Sequence, residues 1–596
     1  MTEPTHMRRP GAGEPTITEA ERAEAEMSAT AAAGAAVEAL GPEVGLLAGL
    51  DSTGLGEAVG EATEVAASLA ADPASVLGAT ARYVAALGNA GWATAMVTLG
   101  LAPSTRLEAE AGDRRFHDPS WNSHPWFFGV GQGYLAWARY LHELLDVADL
   151  EPGTAERARH TLGLLVDGLS PTNFLPTNPV AIRRAIETRG ASVLAGARNL
   201  MVDMATNQGK PRQVDASAFR VGGNLACTPG KVVFRNELME LIQYAPSTKT
   251  VHEVPLLCSP PWINKYYIMD LAPGRSFIEW AVAKGHTVFA ISYVNPDESM
   301  RNVALDDYLL SGPCQALDVI ADITGCEKVN VVGLCLGGSL SVMLLAHLAA
   351  NGMDRVRSAT LLNTLVDFSE PGPMGCFVDR ASVEHLERKM QARGYLDASE
   401  MMGMFDVLRS RDLIWNYVVS GWLLGERPPA FDILAWNADG TRMPADMHSF
   451  YLRCCYVENQ LAAGTMTLAG TPLDLRQVKA DAYVLSAKED HIAPWRSTYA
   501  TVGLLGGTSR FVLSSSGHVA GIVNPPGGKR SYWTNDALPD RPDDWLAGAG
   551  EHPGSWWEDW AAWIAPRAGA RRKPPSMGNA AHPPVADAPG KYVLQR

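Results

Sequence analysis

The sequence predicts an α/β protein: a mostly parallel sheet covered by helices on both faces, preceded by a mostly helical region. Three observations carry this. Short, nearly continuous apolar runs such as Val329 to Val332 and Ala482 to Leu485 alternate with stretches of helical spacing, as buried parallel strands joined by helices do. One of these runs leads through a glycine-flanked turn directly into a helical stretch, Ser339 to Ala350. The chain has 596 residues, 46% of them hydrophobic and 19% charged, which is enough for one large core and a second folded region.

Residues 1 to about 75 are rich in Ala, Glu and Gly, with almost no aromatics. Such composition buries little surface, so disorder or loose helix is expected there, with order from Pro73. Residues 76 to 215 form the helical region. It holds the aromatic stretch from Phe116 to Phe128, helical spacing through Tyr134, Trp137, Tyr140, Leu141 and Leu144, and a second helical stretch from Ala181 to Met204.

The α/β domain spans 216 to 565. Val232 to Phe234 and Leu238 to Tyr244 read as an antiparallel pair at a sheet edge. Pro255 to Cys258, Thr287 to Ile291, Val329 to Val332, Ala359 to Leu362, Ala482 to Leu485 and Arg510 to Leu513 read as strands. Between about 368 and 472 the alternation breaks, in an insert carrying Met401, Met402, Met404, Phe405, Trp415, Trp422 and Trp436. Its length predicts a subdomain rather than a loop. The tail from 566 to 596, rich in Pro, Ala and Arg, is expected to be only partly ordered.

A formal net charge of -15 disfavours nucleic-acid binding, which needs a clustered basic surface. The eight cysteines include no C-x-x-C pair, so neither a zinc site nor a disulfide framework is expected, and a reducing cytosol fits. Neither a secretory signal nor an apolar run of membrane-spanning length is visible. Gly129, Gly131 and Gly133 lack the preceding strand that a dinucleotide site requires.

The run Val331-Val332-Gly333-Leu334-Cys335-Leu336-Gly337-Gly338 reads as strand, sharp turn and helix. That is the nucleophile elbow of an α/β-hydrolase, ordinarily G-x-S-x-G, with Cys335 in the serine's position. A free cysteine is most often a small buried hydrophobe. Flanking glycines and a place between strand and helix favour a nucleophile instead. A thiolate attacks thioesters well and leaves well, which points to acyl transfer between thiols.

In this fold an acid and then a histidine follow the nucleophile, each after a strand. Asp490 follows Ala482 to Leu485, and His518 follows Arg510 to Leu513 in a loop of small residues. His491 is a rival histidine, but it adjoins the presumed acid and should point elsewhere; a supporting role is expected. His252, His286 and His347 read as structural. Leu336 should donate one backbone N–H to an oxyanion. The second donor should come from the loop Ser259-Pro260-Pro261-Trp262-Ile263-Asn264, where the prolines cannot serve. Ile263 is favoured over Trp262 and Asn264, with Asn264 in support.

The elbow Gly333-Leu334-Cys335-Leu336-Gly337-Gly338 resembles that of polyhydroxyalkanoate synthases. The likeness extends through Gly223 to Ala226, Thr228 to Gly230, Val233 to Glu237, Pro260 to Tyr267, Trp436 to Thr441, Asp490 to Ile492, Ser516 to His518, Asn524 to Pro526 and His552 to Trp557. It covers roughly 116 to 565. Length and the Asp118 to Trp121 region resemble the long, single-subunit-type (class I-like) synthases that favour short-chain monomers. Leu334 and Trp262 depart from residues frequent in the family and leave the pocket's substrate range open.

The resemblance implies polymerisation of (R)-3-hydroxyacyl-CoA into a growing polyester with release of CoA. It implies no cofactor beyond the CoA of substrate and product, and no metal. It also implies a homodimer and a cytoplasmic place on polymer granules among granule proteins. The alternatives are a thioesterase or polyester depolymerase with the same Cys335, Asp490 and His518, and a non-catalytic granule protein.

Overall fold

The structure, a computed structural model, describes residues 52–110 and 112–596. The expectation of disorder over 1 to 51 therefore lies outside the described residues. Ordered helix begins before Pro73: α1 spans Ser52–Ala71. The chain folds as two compact units.

The first unit is helical, with α1, α2 (Pro73–Thr98), α3 (Pro125–Val147) and α4 (Pro152–Gly168). Asp72 accepts from the Ser75 N–H at 3.1 Å and Pro73 follows it, a residue that lacks an N–H where none is needed. A Tyr83–Tyr140 stack, ring centroids 4.5 Å apart, joins α2 to α3. Gly129, Gly131 and Gly133 lie inside α3. The helical stretch Val180–Asn199, read from sequence as part of this region, belongs to the second unit. There Asn199 Nδ2 donates to the carbonyls of Gly421 and Glu426 at 2.9 and 3.0 Å. Periodicity identifies a helix but not the body it packs on.

The second unit is built on an 11-stranded sheet. Its strands are β1 (Gly230–Arg235), β2 (Met239–Tyr244), β3 (Leu256–Ser259), β4 (Val288–Tyr293), β5 (Val329–Leu334), β6 (Val356–Leu362), β7 (Asp481–Ala487), β8 (Ser509–Ser514), β9 (Ser531–Thr534), β10 (Gly550–Pro553) and β11 (Ala586–Asp587). The order across the sheet is β10-β9-β8-β7-β6-β5-β3-β4-β2-β1-β11. From β4 to β8 every pairing is parallel; both flanks are antiparallel.

Every residue of β4 and β5 is buried, as parallel strands covered on both faces require. Successive residues supply opposite cores: Leu257, Phe289, Val331 and Val484 pack on one side, Leu256, Ala290, Val332 and Leu485 on the other. The helix after β5, α5 (Leu336–Ala350), is buried from Leu336 to Leu348.

The insert between β6 and β7 folds with its own helices, including Arg380–Arg393, Ala398–Leu408 and Ala445–Tyr451. A short antiparallel pairing of Tyr395–Leu396 with Met443–Pro444 ties them. The tail differs from its expectation: β11 pairs with β1, and Lys591 and Tyr592 N–H donate to Glu240 Oε2 at 2.9 and 3.0 Å. The buried Glu240 carboxylate gives this polar, Pro-rich tail a dock that composition does not announce. β9 and β10 have no counterpart in the sequence reading, because they lie at the sheet edge and carry no buried apolar run.

Burial pushes His448 down to about 4. It does the same for His286, aided by the neighbouring His252 and Arg571, to about 3. An unfolded histidine titrates near about 6.5. Below that pH the unfolded chain takes up protons that the fold refuses, so stability falls as pH drops from about 6.5 toward about 4. Each histidine adds at most about 1.4 kcal/mol per pH unit to this slope. His448→Gln is expected to flatten the slope of unfolding free energy against pH by about that amount, measured by denaturant titration; an unchanged slope would count against a neutral buried His448.

Candidate active site

The site begins with backbone geometry. Cys335 stands between β5 and α5 at φ 51°, ψ −119°. Its N–H donates to Leu362 O at 2.9 Å, and its carbonyl accepts from the N–H groups of Gly338 and Ser339 at 2.9 and 3.1 Å. The turn closes only because its flanks lack side chains. A Cβ on Gly337 would lie 2.1 Å from Ser259 O, and one on Gly333 would lie 2.6 Å from the Gly338 Cα. Leu336 is the first residue of α5, so its N–H has no helical acceptor.

Asp490 follows β7 with its side chain fully buried. Oδ1 accepts from the Ile492 and Ala493 N–H groups at 2.8 and 2.9 Å. Oδ2 lies 2.6 Å from His518 Nδ1. His518 opens the short helix His518–Ile522, after Ser516 at φ 79°. Arg530 Nη1 donates to the carbonyls of Ala520 and Val523 at the far end of that helix.

Burial alone would lower the His518 pKa. The Asp490 carboxylate, the charge on Cys335 and hydrogen bonds to both overcome it and hold the ring well above the usual histidine range. Cys335, Asp490 and His518, expected from strand order, are thus brought together.

His491 is turned to different neighbours. Asp490 spends its oxygens on His518 and two backbone amides, and His491 Nδ1 is buried without a partner. Burial, with Arg409 next and His518 also contributing, pushes His491 down to about 4 against the pull of Asp490 and Asp412.

The loop after β3 is held by the Trp436 to Thr441 segment of the insert. Ile263 O accepts the Thr441 N–H at 3.0 Å, and Trp262 O accepts the Thr441 hydroxyl. Asn264 Nδ2 donates to Asn437 O at 3.4 Å, and Trp436 Nε1 donates to Lys265 O at 2.7 Å. Asn264 therefore supports the loop itself.

Trp262 sits edge-on to Tyr308 and Tyr451, with ring centroids 5.7 and 5.8 Å away. The insert supplies Tyr451, buried, and Tyr456, half-buried; desolvation foremost, with the Cys335 charge contributing, raises both phenols. Phe368 closes on Tyr456 at 4.9 Å. Sequence reasoning missed this tyrosine pair. The residues are five apart, and the segment Leu452–Val457 is π-helical, which brings i and i+5 to one face. A search at the α-helical period separates them; the clustered aromatics of the insert were the signal available.

Among the described residues no three His, Cys, Asp or Glu side chains gather as metal ligands would, and no helix is long and apolar enough to cross a membrane.

A family profile described as the N-terminus of poly-beta-hydroxybutyrate polymerase (PhaC) matches residues 112–281, and the alpha/beta hydrolase fold profile matches residues 271–525. The poly(3-hydroxyalkanoate) polymerase subunit PhaC of Cupriavidus necator is 46% identical over 81% of this chain and 83% of the relative. The poly(3-hydroxyalkanoate) polymerase of Methylorubrum extorquens is 42% identical over 90% of this chain and 89% of the relative. The chain belongs to the poly(3-hydroxyalkanoate) polymerase family. It is an acyltransferase on an α/β-hydrolase fold. The Rhizobium meliloti subunit PhaC, 44% identical over 82% of this chain and 80% of the relative, agrees.

Because a methyl group on Gly337 meets backbone oxygen, Gly337→Ala is expected to destabilise the protein by about 3 kcal/mol or more and to abolish activity. Denaturant unfolding checks it; parental stability would show that the turn and the β3 loop do not approach this closely.

Proposed function

We propose that this chain polymerises (R)-3-hydroxyacyl-CoA thioesters into polyhydroxyalkanoate and releases CoA, through an acyl group carried on Cys335. The buried His518–Asp490 pair set against Cys335 is the observation that carries the reading. His518 Nδ1 is engaged by Asp490, which leaves Nε2 for the sulfur. His518 takes the thiol proton, and the thiolate attacks the thioester carbonyl. Charge on the carbonyl oxygen falls to the N–H groups of Leu336 and Ile263. The bond to the CoA sulfur breaks, the leaving thiolate takes the proton from His518, and the hydroxyacyl group remains on Cys335.

In the second half a hydroxyl attacks an acyl thioester carbonyl. His518 accepts its proton, the ester bond forms, the carbon–sulfur bond breaks, and the leaving thiolate takes that proton from His518. Asp490 fixes the ring and balances its charge. The alternative, in which Asp490 itself takes the hydroxyl proton, is less favoured because its oxygens are committed to His518 and the Ile492 and Ala493 amides. Water at this stage would end the chain. The buried aromatic groups Trp262, Tyr451 and Phe368, with the half-buried Tyr456 beside them, supply a dry wall, and the insert between β6 and β7 is the cover.

The side chains present and the substrate's own CoA suffice for these steps, so no cofactor is invoked. A homodimer and a cytoplasmic place on the polymer granule, beside granule proteins, belong to the reading on the resemblance alone.

Purified protein given 3-hydroxybutyryl-CoA is expected to release CoA in step with insoluble polymer, and Cys335→Ala should reduce both by about 1,000-fold or more. CoA release with only soluble hydroxy acid would favour a thioesterase. Undiminished polymer from Cys335→Ala would exclude the mechanism. His518→Gln should slow alkylation of Cys335 by iodoacetamide at neutral pH; equal labelling would make another group the base.

A further inference from the structure

The turn that ends β6 touches all three limbs of the site. Leu362 O accepts the Cys335 N–H at 2.9 Å, and Leu365 O accepts the Ser339 hydroxyl at 2.7 Å, one turn into α5. Asn363 N–H donates to Leu485 O at 2.8 Å, on the strand that delivers Asp490. The Asn363 side chain donates through Nδ2 to the backbone carbonyl of His518 at 2.5 Å. One residue therefore joins the acid's strand to the base, directly after the residue that holds the nucleophile's amide.

Asn363 is fully buried at φ 45°, in the left-handed region that Asn enters more readily than most residues. Its Oδ1 is buried without a partner. A buried amide with an unmet acceptor is unfavourable, and glycine would meet the backbone requirement without it. Packing and backbone conformation thus leave the amide unexplained; its bond to His518 accounts for it. The segment it grips needs an outside anchor, since His518 follows Ser516 at φ 79° and opens a helix of five residues.

Resting on the reading in which Cys335, Asp490 and His518 act together, we infer that Asn363 is a positioning residue, whose amide fixes the His518 backbone so that one ring nitrogen meets Asp490 while the other faces Cys335. The bond acts on geometry and touches no reacting atom. Its loss misplaces the ring without removing any group of the triad.

Asn363→Gly in the full chain tests this, because glycine accepts the backbone conformation and removes the side chain that donates to His518. With 3-hydroxybutyryl-CoA, kcat is expected to fall about 10- to 100-fold with KM unchanged. The iodoacetamide alkylation rate of Cys335 should fall with it, both normalised to the Cys335 that can be alkylated. A merely structural role would reduce the amount of folded enzyme and leave the normalised values at parental level. That outcome overturns the inference. Should the glycine variant melt early, Asn363→Asp carries the test. It keeps shape and tolerance of positive φ but turns an acceptor toward the His518 carbonyl, and a parental kcat there also overturns the inference. Activity lost in Cys335→Ala but kept in Asn363→Gly leaves the proposed function standing, whereas activity that survives Cys335→Ala removes the function itself.

Discussion

Cys335 is held at φ 51° and ψ −119°, a backbone state that costs an L-residue about 1–3 kcal/mol and persists only where its surroundings over-determine it. Those surroundings are backbone. The β3 loop presses on Gly337, α5 folds back against Gly333, and Leu362 O takes the Cys335 amide. The order of strands follows from the same constraint. β3 and β6 flank β5 on either side, so the loop after β3 and the turn after β6 arrive at the elbow from opposite directions. One brings the candidate oxyanion donor, and the other brings the tie to His518. An elbow of bulkier residues would push both away.

The electrostatics depend on that packing. A buried imidazole is ordinarily held neutral, as His448 is at about 4. His518 is buried as well, yet its pKa moves the other way, because Asp490 and Cys335 stand against it. The difference lies in partners rather than in burial. Asp490 in turn is kept by two backbone amides, which lets it remain a hydrogen-bond acceptor without another cation.

The parts of the fold legible in the sequence are those where burial is complete. β4, β5 and the elbow helix read clearly because parallel strands and a fully covered helix must be apolar throughout, and Cys335, Asp490 and His518 follow from their places after such strands. Legibility fails where a polar or irregular contact does the work. β9 and β10 lack an apolar run, and the tail that follows β11 is caught by backbone N–H bonds to Glu240, a polar contact that no apolar run announces. The Tyr451 and Tyr456 pair depends on a π-helical turn that no α-helical period reveals. Asn363 looks like an ordinary polar residue after a strand, and its bond to His518 spans 155 residues of sequence. The clamp on the loop after β3 by Trp436 to Thr441 was not legible, because those contacts run largely through backbone carbonyls.

Whether the polymerising acyl group rides on Cys335 is read most directly by mass spectrometry of the full-length enzyme, quenched in acid during turnover of 3-hydroxybutyryl-CoA and then peptide-mapped. An adduct of one or more hydroxybutyryl units confined to the peptide carrying Cys335, appearing before steady CoA release, is the expected result. CoA release and polymer growth with that peptide unmodified, or with the acyl group on another residue, would contradict it.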